Sequence, residues 1–228
     1  LRADNNGEGG ILALYALLRR LKSKWIYILA IIGASTLLAD GIITPAITVT
    51  TAIEGLESIS PHLPVIPITL GIITIIFFVQ RFGTESIGKS FGVFMLIWFL
   101  LLGVMGAFSI TSYPMILKAI NPYYAIVLLA QSPEWFLILG AVFLCTTGAE
   151  ALYSDLGHCG RKNITISWLF VKAMLILNYL GQGAWVLNHI QTASSVNPFF
   201  SIMPQNMLIF AIIMATGAAI VASQALIS

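Results

Sequence analysis

Six apolar runs, each near the length that crosses a bilayer, constrain this chain more than any other feature of it. They are Trp25 to Ile53, Leu63 to Val79, Phe91 to Ile110, Trp135 to Tyr153, Ile166 to Leu187 and Met207 to Ile227. A spanning helix needs about 20 mostly apolar residues. Lipid offers no partner to an open backbone, so only helices and closed barrels cross it, and the sequence lacks the short alternating segments of a barrel. The expected fold is an all-α polytopic membrane protein. Composition agrees, with 58% hydrophobic and 9% charged residues, whereas soluble domains carry about 25% charged residues. A net charge of +2 is too small to point to nucleic acid. The expected surroundings are a lipid bilayer.

Two weaker stretches join the runs. "ILALYALLRRLK" (Ile11 to Lys22) reads as an amphipathic segment along the membrane surface. "SYPMILKAINPYYAIVLLA" (Ser112 to Ala130) is broken by Pro114 and Pro122 and reads as an interfacial loop rather than a span. Charge then sets the orientation. Arg2, Arg19, Arg20, Lys22 and Lys24 precede the first span, Arg81 and Lys89 follow the second, and Arg161 and Lys162 follow the fourth. With alternating spans these nine of eleven basic residues share one side, Lys118 stands on the other, and Lys172 lies early in the fifth span. The basic side is expected to be cytoplasmic. Residues 1–24 and 154–165 are then cytoplasmic loops and 111–134 an extracellular one. Leu1 and the end at "ASQALIS" lead to the expectation of an internal fragment of a longer protein.

Within the first run, "TLLADGIITPAIT" sets Thr36, Asp40, Thr44 and Thr48 at four-residue intervals, roughly on one helical face. Pro45 has no N–H to give to the carbonyl of Gly41, beside Asp40. A carboxylate, hydroxyls and a freed carbonyl suit a dehydrated alkali cation. Threonines alone are as often packing groups. An acid inside a span costs about 2.5–3.5 kcal/mol on insertion scales and points to function.

The fourth run carries a second acid in "CTTGAEALYSD" (Cys145 to Asp155). Gly148 permits a break there, and a half-helix would turn backbone carbonyls towards an ion. Thr147 stands about a turn before Glu150, and Tyr153 about a turn after it. Asp155 lies by the cytoplasmic boundary, suited to Arg161 or Lys162, and His158 reads as a solvated residue of a charged turn. Cys145 and Cys159 form no C-x-x-C pair, so neither a transition-metal site nor a disulfide framework is expected. Asn178 and Gln182, flanked by Gly181 and Gly183, favour helix packing. Ser223 and Gln224 in "GAAIVASQA" are equally open to packing and to lining a cavity.

Two intramembrane acids admit an enzyme or a transporter. An intramembrane aspartyl hydrolase would pair Asp40 with Asp155, but that chemistry needs carboxylates about 3 Å apart, and the two residues belong at different depths. A passive channel is a third reading, but the sequence has no repeated carbonyl filter of the "TVGYG" kind. Transport asks only that Asp40 and Glu150 face one cavity, and it is the reading preferred over an enzyme.

"RADNNGEGG", "DGIITPAITVTTAIEGLE", "GAVFLCTTGAEALYSDLGHCGRKNI", "LNYLGQGA" and "ASQALIS" occur in this order along the chain. Together they resemble the Kup/HAK/KT family of potassium uptake proteins, most of all its bacterial type. The resemblance implies a multi-pass protein of the cell (inner) membrane that moves potassium with protons, without a cofactor, and admits a homodimer. It implies a LeuT-like bundle of the amino acid–polyamine–cation superfamily, with about six of twelve helices present, corresponding to the third through eighth. Essential acids map onto Asp40 and Glu150, and a potassium-ligand position maps onto Thr147. Thr44 and Thr48 are implied contributors, while Thr36, Tyr153 and Ser223 are candidates for the lining. The family's Gly-Asp-x-Gly-Thr-Ser-Pro-type first-helix motif would lie upstream of Leu1. A superfamily relative moving amino acids is the runner-up, disfavoured because two acids facing a cavity repel a carboxylate substrate.

Overall fold

The structure, a computed structural model, describes residue 5 and residues 10–21, 24–58, 64–80, 85–145, 160–193 and 196–227. Its helices are α1 (Gly10–Leu18), α2 (Lys24–Glu54), α3 (Val65–Gln80), α4 (Glu85–Ser112), α5 (Pro122–Gln131), α6 (Trp135–Leu144), α7 (Arg161–Asn188), α8 (Pro198–Ser201) and α9 (Gln205–Ile227). Short 3₁₀ segments cover Arg19–Leu21, Gly55–Ser58 and Pro114–Ile120. Among the described residues four helices, α2, α4, α7 and α9, are long and apolar enough to cross a membrane. They correspond to the first, third, fifth and sixth expected spans.

The second expected span is a short helix, and the fourth is described only in its first part. Helix α3 has 16 residues, which at about 1.5 Å per residue gives roughly 24 Å against a hydrocarbon core of about 30 Å. Helix α3 starts directly after Pro64. Pro67 is accommodated in its first turn, where no intrahelical N–H is needed. Helix α6 covers 10 residues and is capped by Cys145. The rest of the expected fourth span lies outside the described residues.

Two weaker stretches take on local structure. The stretch read as broken by prolines breaks at both of them, and each proline starts a short helical segment within it. Pro114 opens a 3₁₀ segment, and Pro122 is the first residue of α5. Asn121 caps α5 by accepting a hydrogen bond from the Tyr123 N–H at 3.0 Å. At 10 residues, α5 is too short to span. The expected amphipathic segment is instead apolar all round α1, with Leu12, Leu14, Leu17 and Leu18 exposed. Its cations begin at Arg19, in the 3₁₀ segment that follows. Polarity is divided along the axis and not across it.

The chain divides into two compact units, residues 1–35 with 114–170 and residues 36–113 with 171–228. In the first unit α1 lies close against α2, since a Cβ on Gly33 would fall 2.8 Å from the Ile11 side chain. The second unit holds the main core. Val49, Ala52 and Ile53 of α2 meet Ile76 of α3, Phe200 of α8, and Ile212, Ala215 and Ala219 of α9. Leu101 and Met105 of α4 cluster with Met203, Ala211 and Met214. Trp98 and Phe199 touch both clusters, with ring centroids 5.9 Å apart. The alanines of α9 let these helices approach closely, as membrane helices must when apolar lipid gives no hydrophobic drive to association.

Helices α4 and α7 run in the same direction. Gly103 faces Met174, Gly106 faces the backbone of Leu177 and Asn178, and the Ser109 hydroxyl donates to the Gly181 carbonyl at 2.7 Å. Both sets of numbers rise together.

Candidate cation site

Helix α2 carries its polar residues through an unbroken run from Lys24 to Glu54. Pro45 sits buried within it and supplies no N–H to the Gly41 carbonyl. The segment remains helical because its outer residues pack. Pro45, Val49, Ala52 and Ile53 are the buried residues of α2, and all lie in its C-terminal half. Asp40 and Thr44, both half-buried, stand where the exposed half gives way to the packed one.

The threonine stripe winds around the helix. Each residue advances it by about 100°, so four-residue steps drift by about 40°, and Thr36 and Thr48 end about 120° apart. That drift leaves Thr36 exposed and Thr48 half-buried. The two central residues are bonded to each other: the Thr44 hydroxyl donates to Asp40 Oδ1 at 2.5 Å. The Thr48 hydroxyl donates to the Thr44 carbonyl at 2.6 Å. Thr50 and Thr51 do the same with the carbonyls of Ala46 and Ile47. Back-bonding of this kind is the usual packing habit of a helical threonine. Thr44 departs from it.

The departure has a chemical consequence. With its proton directed at the carboxylate, the Thr44 oxygen is polarised as an acceptor, and its lone pairs remain available beside the carboxylate's second oxygen. Such an all-oxygen pair suits a hard cation. Thr44→Val is therefore expected to weaken cation uptake by the intact protein about tenfold, the value of roughly one charge-assisted hydrogen bond. Thr48→Val is expected to change it by less than about twofold, because its hydroxyl already serves the helix. Dose–response curves of uptake against external cation check both, and equal effects of the two variants would refute the distinction.

The other expected site residues fall differently. Thr147, Glu150 and Tyr153 lie outside the described residues, as do Gly148, Asp155, His158 and Cys159. Ser223, 1% exposed, donates its hydroxyl to the Ala219 carbonyl at 2.7 Å. Its neighbour Gln224 is buried, with Oε1 lacking a hydrogen-bond partner. Asn178, 3% exposed, lies at the crossing of α7 with α4. That crossing bears out packing at Asn178 and Gly181, while the interhelical hydrogen bond expected of Asn178 is not made by its Oδ1, which is buried without a partner. Thr69 of α3 is a further buried hydroxyl with no partner, and sequence reading did not single it out. Its signal was a lone polar residue in "VIPITLGII", the same signal that marked Asp40 but without a charge.

Comparison with known proteins adds the family. Residues 1–228 match the family described as "K+ potassium transporter integral membrane domain". The "Probable potassium transport system protein Kup" of Flavobacterium psychrophilum is 53% identical over 234 residues, covering all of this chain and 36% of that protein. The protein of the same name from Latilactobacillus sakei is 56% identical over 244 residues, again covering all of this chain and 36% of the relative. "Probable potassium transport system protein Kup 1" of Lactococcus lactis is 54% identical over 240 residues, with the same coverage. The chain thus spans about a third of the length of the curated relatives it matches. No solved structure matches it. With the family match running from Leu1 to Ser228 over membrane-length helices, the chain belongs to the K+ potassium transporter family, as part of its integral membrane domain.

Proposed function

We propose that the intact protein takes potassium up across the cell membrane together with protons, and that Asp40 and Thr44 belong to its cation pathway. The observation that carries this reading is the half-buried Asp40 carboxylate bonded to the Thr44 hydroxyl within a spanning helix of this family. An acid in a span is expensive and is retained where it is used. Potassium exchanges its hydration shell for oxygen ligands, and a carboxylate that can also take a proton supplies the coupling group.

In this reading Glu150 and Thr147 complete the pathway on the strength of the family resemblance, with Tyr153, Thr36 and Ser223 as lining. The bundle is LeuT-like, and the chain contributes the third through eighth of twelve helices. Residues 1–24 and 154–165 face the cytoplasm and 111–134 the exterior.

The test is potassium uptake by the intact protein in cells lacking their own potassium systems, at acidic and at neutral external pH. Uptake is expected to be restored and to be faster at acidic pH, with Glu150→Gln reducing it to background. Restored uptake that ignores external pH would remove the proton from the proposal and leave the potassium. Cells that remain unable to take up potassium would refute both.

A further inference from the structure

We propose that the groove between α1 and the start of α2 binds the phosphate headgroup of an anionic phospholipid. The groove is a cavity of about 530 Å³, within the range of small-ligand sites. Arg19 and Lys24 line it, one from the 3₁₀ segment after α1 and one from the first position of α2. Tyr15 and Tyr27 stand in its wall with ring centroids 6.4 Å apart. Its described lining contains two cations and no carboxylate. The first N–H groups of a helix have no intrahelical partner and favour an anion, and the wall includes the first turn of α2. An arginine, an ammonium and two phenols lining one cavity are suited to phosphate oxygens.

The surroundings decide between a lipid and free phosphate. Leu14, Leu17, Leu21, Trp25 and Leu29 are exposed on the elements that form the groove. Leu18 and Ile28 continue that apolar surface into its wall. Free phosphate gains nothing from such walls, whereas acyl chains are covered by them. Tyrosine and tryptophan at this place match the interfacial belt of membrane proteins. Basic pockets at helix ends are the expected form of a headgroup site. The proposal rests on the chain's place in an integral membrane family and is independent of the transport reading.

The experiment is native mass spectrometry of the intact protein in detergent, with equal amounts of phosphatidylglycerol and phosphatidylcholine of matched acyl chains. Phosphatidylglycerol is expected to be retained preferentially. R19A/K24A should lower that preference about thirtyfold, since each cation at an anionic lipid surface contributes roughly fivefold. The charge-conserving R19K/K24R should keep most of the preference, which separates lost charge from a damaged fold. Equal retention of the two lipids, or an undiminished preference in R19A/K24A, would overturn the proposal. Loss of the preference in R19K/K24R would do the same. Displacement of the lipid by inorganic phosphate would show a free-anion site and also refute it.

Discussion

Asp40→Asn in the intact protein is expected to lower potassium uptake by about two to three powers of ten, the effect of removing one member of a desolvated ion pair. The substitution is nearly isosteric. Asparagine keeps an Oδ1 that can accept the Thr44 hydroxyl, so the bond within α2 and the packing of Pro45 and Val49 below it can persist. What disappears is the charge, and with it a group able both to hold a cation and to take a proton. Uptake should fall at every external pH, because a neutral amide has nothing to titrate. Expression and thermal unfolding of the variant should match the unmodified protein, and that comparison separates loss of function from loss of fold. Uptake at the unmodified rate, together with a silent Thr44→Val, would make the pair a packing feature and place the pathway elsewhere.

The spans were legible because lipid leaves a chain few options. Apolar length and the need to satisfy the backbone internally mark α2 and α9 to within two residues at either end, while α4 and α7 start five or six residues earlier than their apolar runs. Asp40 stood out for the same reason, as a charge in a solvent that penalises charge. What the sequence did not disclose lies in short-range geometry. Asn121 followed by Pro122 is a helix start, yet two prolines in nineteen residues read as a break. Three threonines and Asp40 at equal intervals read as one face, although 3.6 residues per turn carries the end members about 120° apart. Hydroxyl direction is a further local choice: Thr44 bonds Asp40, while Thr48 bonds a carbonyl. Ser223 shows the limit again, since nothing in "VASQA" distinguishes a lining hydroxyl from one tied to Ala219.

Gly106→Ala should destabilise the protein by up to about 3 kcal/mol, the upper range for overpacking a well-filled interior. A Cβ at this position would overlap the backbone of Leu177 and Asn178, and backbone cannot turn aside as a flexible side chain can. The same added methyl group at Gly92, also on α4, meets nothing within 4 Å. There the exchange should be neutral or stabilising by up to about 1 kcal/mol, because alanine is the better helix former. One chemical change on one helix thus carries opposite signs, and thermal unfolding of the two variants in detergent reads them side by side. Gly181→Ala should follow Gly106→Ala, since its Cβ would meet Gly106 itself. Ser109→Ala should lose only about 0.6 kcal/mol, the typical value of one interhelical hydrogen bond in a membrane. If Gly106→Ala unfolds no earlier than Gly92→Ala, then α4 and α7 do not cross at this glycine pair. The parallel course of the two helices at this contact would then be wrong as well.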